Sequence, residues 1–223
     1  MTPTAAWRWC AAAGIATTVA SFAFDAIPGL TACTDTGGLG PIIAAELART
    51  PAEFHQLFGQ AACPRLAGAM IDSLVLDALA FIPAYAAFLT LALVALRPVR
   101  PGIALAGIGV TLAAALLDQI EGGLLWRIVG HDAGQGAIDA LAIVVRTKFA
   151  LLGASAMLIG VLLAMRRGIG LFAGPIIAIG GAACLYGLAG DPRALVEGNR
   201  YAWMALLAVA LILSFARGAR VRK

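Results

Sequence analysis

Five ionisable residues lie inside long apolar runs of the chain, and these are the residues that could do chemistry. Asp77 lies in one run, Asp118 and Glu121 lie in the next, and Arg146 and Lys148 lie in a third. A charged group inside a membrane is costly unless it is paired or hydrated. Carboxyls and cations in such runs point to buried ion pairs, to proton exchange or to general acid–base catalysis.

The composition indicates that the chain is a membrane protein. It has 223 residues, of which 61% are hydrophobic and 13% are charged, whereas a soluble domain has about 25% charged residues. Too little polar surface exists to cover so apolar a core in water. The composition therefore excludes a disordered chain and argues against a water-soluble globule.

Six apolar stretches predict an all-α, polytopic bundle of six transmembrane helices, which forms a single transmembrane domain over residues 1–223. Spans must be helical because lipid offers the backbone no hydrogen-bond partner, and each needs about 20 residues. We expect the first stretch to be a retained helix, since no clean signal-peptide cleavage site follows it; the alternative is a cleaved signal peptide, which would leave five spans. The predicted spans are Trp7–Ile27, Ile71–Leu96, Ile103–Trp126, Ala140–Met165, Ile169–Ala189 and Tyr201–Phe215.

The distribution of basic residues predicts that both termini are cytoplasmic. Basic residues accumulate on the cytoplasmic side of membrane proteins, and with this orientation the inner segments carry no acidic residue. The outer segments mix arginines with acidic residues. Together with the Arg-, Ala- and Gly-rich composition, this orientation favours a multi-pass protein of the bacterial inner (cytoplasmic) membrane. The inner basic residues are Arg8, Arg97, Arg100, Arg166, Arg167, Arg217, Arg220, Arg222 and Lys223.

One long periplasmic loop is predicted over residues 28–70. A capping box that starts at Thr50, with proline at the first helical position, predicts a short helix over Pro51–Phe58. Pro41–Arg49 is a second candidate helix. Both would lie on or near the membrane surface.

The four cysteines favour a disulfide in this loop. Cys33 and Cys63 lie on the side of the membrane where bacterial thiols are oxidised, so we expect them to pair, the alternative being two free thiols. Cys10 and Cys184 lie within spans and are interpreted as small apolar packing residues.

The five charged residues are predicted to share one layer in the outer half of the bundle. At 1.5 Å per helical residue, all of them lie roughly 8–12 Å below the outer surface. Asp118 and Glu121 are three residues apart and therefore lie on one helix face.

Residues around Asp77 extend this set of candidates. Pro83 follows on the same helix, where it frees the carbonyl of Leu79 and bends the helix, and Tyr85 then brings a hydroxyl that needs a partner. Asp25 ends a stripe of small and polar residues on the first span. The candidate ligand or proton-binding residues are Asp77, Asp118, Glu121, Arg146, Lys148, Asp25 and Tyr85.

Three interpretations of this layer stay open. The charges could form a structural ion-pair network in a non-catalytic accessory subunit. They could also serve a membrane enzyme that acts on a lipid headgroup, with Glu121 or Asp118 as general acid–base; the lack of a histidine or nucleophile in the layer counts against this. The preferred hypothesis is proton-coupled binding or transport of a small ligand or ion. It depends on three carboxyls facing two cations, because the surplus buried acid is expected to hold a proton.

No cofactor and no metal are expected. The cysteines lack metal-binding spacing, and the only histidines, His55 and His131, lie in outer segments where solvated side chains are the commoner case. The expected partners are the lipid bilayer and a small molecule, ion or lipid ligand, and no nucleic acid. The sequence does not determine the oligomeric state.

Three short motifs carry a resemblance that covers roughly residues 72–152. They are Asp77 with the following Phe-Ile and Tyr85, the Asp-x-x-Glu pair at Asp118, and Lys148 followed by Phe. In these motifs the chain resembles a loose group of small bacterial multi-pass membrane proteins. Gly122 stands where that group has asparagine. The group has no established activity, so the resemblance implies positions of interest and no chemistry.

Overall fold

A computed structural model describes residues 1–58, 63–130 and 134–215, and over these residues the chain is helical without strands. A π-helical turn over Asp77–Phe81 joins α4 and α5 into one continuous helix. The helices are α1 (Pro3–Asp25), α2 (Gly40–Leu47), α3 (Pro51–Phe58), α4 (Leu66–Leu76), α5 (Ile82–Leu96), α6 (Pro101–Gly130), α7 (Gln135–Arg166), α8 (Gly170–Gly187) and α9 (Arg193–Phe215).

Five helices in the described part of the chain are long and apolar enough to cross a membrane, which supports a multi-pass membrane protein. They are Leu66–Leu96, Pro101–Gly130, Gln135–Arg166, Gly170–Gly187 and Arg193–Phe215. The α1 helix has 23 residues and is not one of the five. A sixth span and the orientation of the termini therefore stay predictions, and the basic residues from Arg217 onward lie outside the described residues.

The helices extend beyond the apolar runs that predict them. The last predicted span begins at Tyr201, whereas α9 begins at Arg193. A predicted span ends where polar side chains lower the hydropathy, but the helix itself continues until a residue interrupts its backbone hydrogen bonds. Here Asp191 accepts a 3.0 Å hydrogen bond from the backbone N–H of Arg193 through Oδ1, so this N-terminal cap sets the start of the helix.

The long loop contains the two short helices expected of it. The prediction of α3 over Pro51–Phe58 is confirmed: the N–H of Glu53 donates to Thr50 Oγ1 at 3.2 Å, while Glu53 Oε2 accepts from the N–H of Arg49 at 2.7 Å. The second helix, α2, ends two residues before the predicted boundary at Arg49. A disulfide joins Cys33 to Cys63, with their Cα atoms 6.0 Å apart, and the closed loop contains both helices.

The chain divides into two compact units, and their boundaries fall inside helices. The first unit comprises Met1–Thr17, Ala84–Ala114 and Phe149–Lys223. The second comprises Thr18–Pro83 and Ala115–Lys148. The loop with its disulfide and the charged residues Asp77, Asp118, Glu121 and Lys148 all belong to the second unit.

Small residues allow the helices of the first unit to approach closely. A Cβ atom on Gly174 of α8 would lie 2.6 Å from the carbonyl oxygen of Gly160 on α7. A Cβ atom on Gly180 would lie 2.6 Å from the carbonyl oxygen of Gly198 on α9. Contacts of this kind replace the hydrophobic effect as the force that associates helices in lipid.

We expect Gly174→Ala to lower the free energy of unfolding by about 1–3 kcal/mol, because the added methyl group overpacks the crossing of α7 and α8. Gly109→Ala on α6 is the matched control, since a Cβ atom there meets no atom within 4 Å. The control should be neutral or stabilising, because alanine favours a helix over glycine by about 1 kcal/mol. Thermal unfolding in detergent measures both effects, and equal melting temperatures would contradict this account of the crossing.

Candidate functional site

The charged residues of the second unit occupy the buried faces of α6 and α7. On α6, Asp118, Glu121 and Leu125 follow one another at spacings of three and four, and all are buried. On α7, Lys148 follows Val145 at a spacing of three and is equally buried. Positions spaced in this way lie on one side of a helix and normally carry apolar residues that face the bundle. Ionisable side chains here replace core residues.

Lys148 is the centre of the site. Its Nζ donates to Glu121 Oε1 at 2.7 Å, to Asp118 Oδ1 at 3.0 Å and to Glu46 Oε2 at 3.2 Å. An ammonium group has three N–H donors, so one carboxyl oxygen is present for each of them. The side chains of all four residues are at most 8% exposed. These four residues, Glu46, Asp118, Glu121 and Lys148, are called the acid–lysine cluster below.

Glu46 is the member of the cluster that sequence reasoning missed. It lies on α2, in the long loop, where the sequence predicts a second candidate helix and no site residue. Burial raises the pKa of the Glu46 carboxyl above its usual range; the ammonium of Lys148 opposes this shift and the charge of Asp118 adds to it. A signal was present in the sequence, because α2 is highly apolar and yet too short to span a membrane. Such segments are typical of re-entrant structure buried in protein.

The carboxyls of Glu46 and Glu121 both accept from Lys148 Nζ, at 3.2 Å and 2.7 Å, which brings the two groups to the same point in the cluster. Among the described residues, no N–H or O–H group donates to Glu121 Oε2, although this oxygen is buried. An ionised carboxylate can only accept hydrogen bonds, so two of them cannot bond to each other unless one carries a proton. The cluster therefore offers a place for a shared proton between these two carboxyls.

Two contacts hold α2 beside α7. The disulfide between Cys33 and Cys63 closes the loop that carries Glu46. The side-chain amide of Gln135, at the start of α7, donates to the carbonyl of Arg49 at 3.0 Å and to Asp139 Oδ1 at 2.8 Å. Both contacts limit how far α2 can move away from Lys148.

Asp77 begins the π-helical turn, and Pro83 explains the turn. In this register the carbonyl of Asp77 accepts from the N–H of Ile82, five residues on. The next bond would run from residue 83 to the carbonyl of Ala78, but proline has no N–H. Gln119 of α6 takes its place, since its Nε2 donates to the Ala78 carbonyl at 2.9 Å. The proline therefore deprives the carbonyl of Ala78 of its backbone donor, whereas the sequence predicts this for Leu79. The difference of one residue arises because the π turn shifts the hydrogen-bond register.

A cavity of about 490 Å³ lies beside this turn, between the π-helical segment and α6. Asp77 and Gln119 are its polar residues, and Gly122 and Gly123 leave open space on the α6 side. The carboxyl of Asp77 makes no hydrogen bond or ion pair with any residue that the structure describes, although the charges of Asp118, Lys148 and Glu46 act on it. π-Helical turns occur frequently at functional sites.

The other predicted site residues lie outside the cluster. Arg146 is exposed and forms no ion pair with a described residue, because it is two residues from Lys148 and so about 200° around the helix. Asp25 is exposed at the end of α1. Tyr85 belongs to the first unit, where its ring stacks on Trp203 with centroids 5.3 Å apart. His55 is exposed on α3, and His131 lies outside the described residues.

The charges of the site do not balance. Four carboxyls, those of Glu46, Asp77, Asp118 and Glu121, face the single ammonium of Lys148. Full ionisation of all of them would leave three negative charges in a largely buried site, which is strongly unfavourable. The arrangement can take up protons or a cationic ligand, and either would restore neutrality.

Comparison of the chain with protein-family models, with curated proteins and with solved structures finds no match. The function therefore has to be inferred from the geometry and the charges of the site.

Removal of the central cation should destabilise the fold in a pH-dependent way. We expect Lys148→Met to lower the free energy of unfolding by about 3–5 kcal/mol near neutral pH, because three buried carboxyls lose their partner. The loss should shrink at low pH, where protonation neutralises them. Arg146→Met, which removes an exposed cation from the same helix, is the control and should have little effect. Thermal unfolding of both variants across pH measures this, and an equal loss for the two variants would contradict the role of Lys148.

Reduction of the disulfide should loosen the loop that carries Glu46. A closed loop of about 30 residues restricts the unfolded chain enough to stabilise the fold by about 3–4 kcal/mol. We therefore expect the variant with Cys33→Ser and Cys63→Ser to melt at a lower temperature than the oxidised wild type. A reductant should lower the melting temperature of the wild type and leave that of the variant unchanged; an equal effect on both would show that the bridge does not stabilise the fold.

Proposed function

We propose that the chain is a bacterial inner-membrane protein that binds or transports a small ligand or ion and couples this to a proton held in the acid–lysine cluster. The observation that carries the proposal is that four carboxyls face one ammonium, a surplus of three acidic groups. Neutralisation by mobile charges, protons or a ligand, is the simplest way to hold such a site in a membrane.

The proton has a defined place in this proposal. Glu46 and Glu121 accept from the same ammonium group, and Glu121 Oε2 is buried without a donor among the described residues. A proton shared by the two carboxyls satisfies that oxygen and removes one negative charge. Proton exchange then requires only that α2, which carries Glu46, moves relative to α6.

The proposed topology has six spans with both termini in the cytoplasm. The 23 residues of α1 are about 34 Å long, which suffices to cross the hydrocarbon layer. α1 also packs closely on α5: Cys10 Sγ donates to the carbonyl of Phe88 at 3.4 Å, and a Cβ atom on Gly14 would lie 2.8 Å from the Phe88 ring. In this orientation the acid–lysine cluster is reached from the periplasm.

A purely structural role is the main competing account, and a specific observation favours it. Each N–H of Lys148 has a carboxyl oxygen within 3.2 Å, as in a static ion-pair network that ties α2, α6 and α7 together. The two accounts differ in whether a carboxyl of the cluster holds a proton at neutral pH. An enzyme acting on a lipid headgroup has no such observation in its favour.

The proposal predicts a stability that falls as pH rises. Because burial raises the pKa of Glu46, the folded protein binds a proton that the unfolded chain releases. This contribution is complete below the ordinary glutamate pKa of about 4.5 and is lost as pH rises through the folded value. We expect Glu46→Gln to remove this decline, measured by thermal unfolding from about pH 5 to about pH 9. Glu53→Gln, which removes an exposed carboxyl from α3, is the control and should keep it.

Infrared spectroscopy gives the decisive readout for the same variants. A protonated carboxylic acid has a C=O stretch that an ionised carboxylate lacks, so the wild type should show this band at neutral pH. Glu46→Gln and Glu121→Gln should remove or shift it, and Glu53→Gln should not. Absence of the band from the wild type would mean that no carboxyl of the cluster is protonated. The structural account would then replace the proposed function.

A further inference from the structure

The cavity beside Asp77 opens toward the side of the helices that carries large exposed apolar residues. Leu79 and Trp126 line the cavity and are 77% and 48% exposed. Leu79 lies near the middle of the span Leu66–Leu96, where an exposed apolar side chain of a multi-pass membrane protein faces lipid. The volume of about 490 Å³ lies within the range of about 300–1,000 Å³ that is typical of small-molecule sites.

One charged group faces this otherwise apolar cavity. Asp77 lines it on the π-helical turn, and its carboxyl forms no ion pair or hydrogen bond with a residue that the structure describes. Lys148, the cation whose charge acts on Asp77, already donates to three other carboxyls. A ligand that fills the cavity therefore meets a carboxyl on one side and apolar side chains on the others.

We infer that this cavity binds an organic cation with an apolar body, which enters from the lipid and places its positive charge beside the carboxyl of Asp77. The inference deepens the proposed function and rests on it, since the cation is the ligand that would be exchanged for a proton. When the cation binds beside Asp77, the O–H bond of the proton shared by Glu46 and Glu121 breaks and the proton passes to water, so the net charge of the cavity and the cluster together is unchanged.

The sign of the ligand charge follows from the surroundings. The cluster next to Asp77 contains three carboxyls and one ammonium, so the local field disfavours an anion. Trp126 adds an indole ring whose face attracts cations. Neutral apolar molecules would leave the Asp77 charge without compensation, and small hydrated metal ions would gain nothing from the apolar walls.

Two isosteric ions test the inference directly. Tetraphenylphosphonium and tetraphenylborate have the same shape and opposite charge. We expect wild-type protein in phosphatidylcholine nanodiscs to bind tetraphenylphosphonium saturably, measured by equilibrium dialysis after subtraction of the binding to empty discs. Tetraphenylborate should show no saturable binding. A wild type that binds neither ion saturably, or binds both equally, would overturn the inference.

Two variants locate the site, each with a matched control. Gly123→Leu fills the cavity from a position where a new side chain meets open space, and Asp77→Asn removes the charge. Each should weaken the binding of tetraphenylphosphonium by about tenfold or more. The controls are Gly109→Leu, on the same helix and also in open space, and Asp25→Asn, at an exposed helix end. Unchanged affinity in folded Gly123→Leu and Asp77→Asn would overturn the inference.

A proton measurement separates this inference from the proposed function. In weakly buffered solution, a pH-sensitive dye reports whether binding of tetraphenylphosphonium releases a proton. Binding of tetraphenylphosphonium with release of a proton supports both the cation site and the proposed proton coupling. Saturable, cation-selective binding without release supports the cavity as a cation site and contradicts proton coupling. A protonated carboxyl band in the infrared spectrum, together with no cation binding, retains the proton site and overturns the ligand class.

Discussion

The hydrogen bonds of Lys148 are the interaction on which the second unit depends. One ammonium joins a helix of the long loop to two long helices, through carboxyls that come from α2 and α6. A buried ion pair gains little stability over apolar packing, but the loss of one partner is costly because an unpaired charge remains. The three contacts therefore act mainly as a constraint on position. They specify that α2 lies inside the bundle, and the disulfide between Cys33 and Cys63 keeps it within reach.

Much of this arrangement could be predicted from the sequence, because spacing along a helix determines which side chains share a face. Asp118 and Glu121 are three residues apart, and their depth matches that of Lys148, so their meeting followed from helix geometry alone. Depth in the membrane alone does not predict the position of Arg146. This residue lies in the same layer as Lys148, but it is on the opposite side of α7. Glu46 could not be placed by either argument, because a loop residue has no fixed depth until tertiary contacts supply one.

The π-helical turn likewise depends on a tertiary contact that the sequence does not predict. Proline in a helix predicts a missing hydrogen bond, and the sequence places Pro83 correctly after Asp77. Which carbonyl is left without its N–H depends on the local register, and that register depends on a donor from another helix. Gln119 supplies this donor to the carbonyl of Ala78. The side chain that compensates for the proline is thus next to Asp118 in the sequence, on the same helix as two acids of the cluster.

The position of Gln119 couples the cavity to the acid–lysine cluster. It follows Asp118 directly in the sequence, and it lines the cavity while Asp118 faces Lys148. Any rotation of α6 that changes the contacts of Lys148 therefore also moves the donor that supports the π turn and Asp77. In the proposed function, a change in the charge of the cluster and a change in the occupancy of the cavity therefore act on the same helix. Such an element can link proton exchange to ligand binding without any contact between the proton and the ligand.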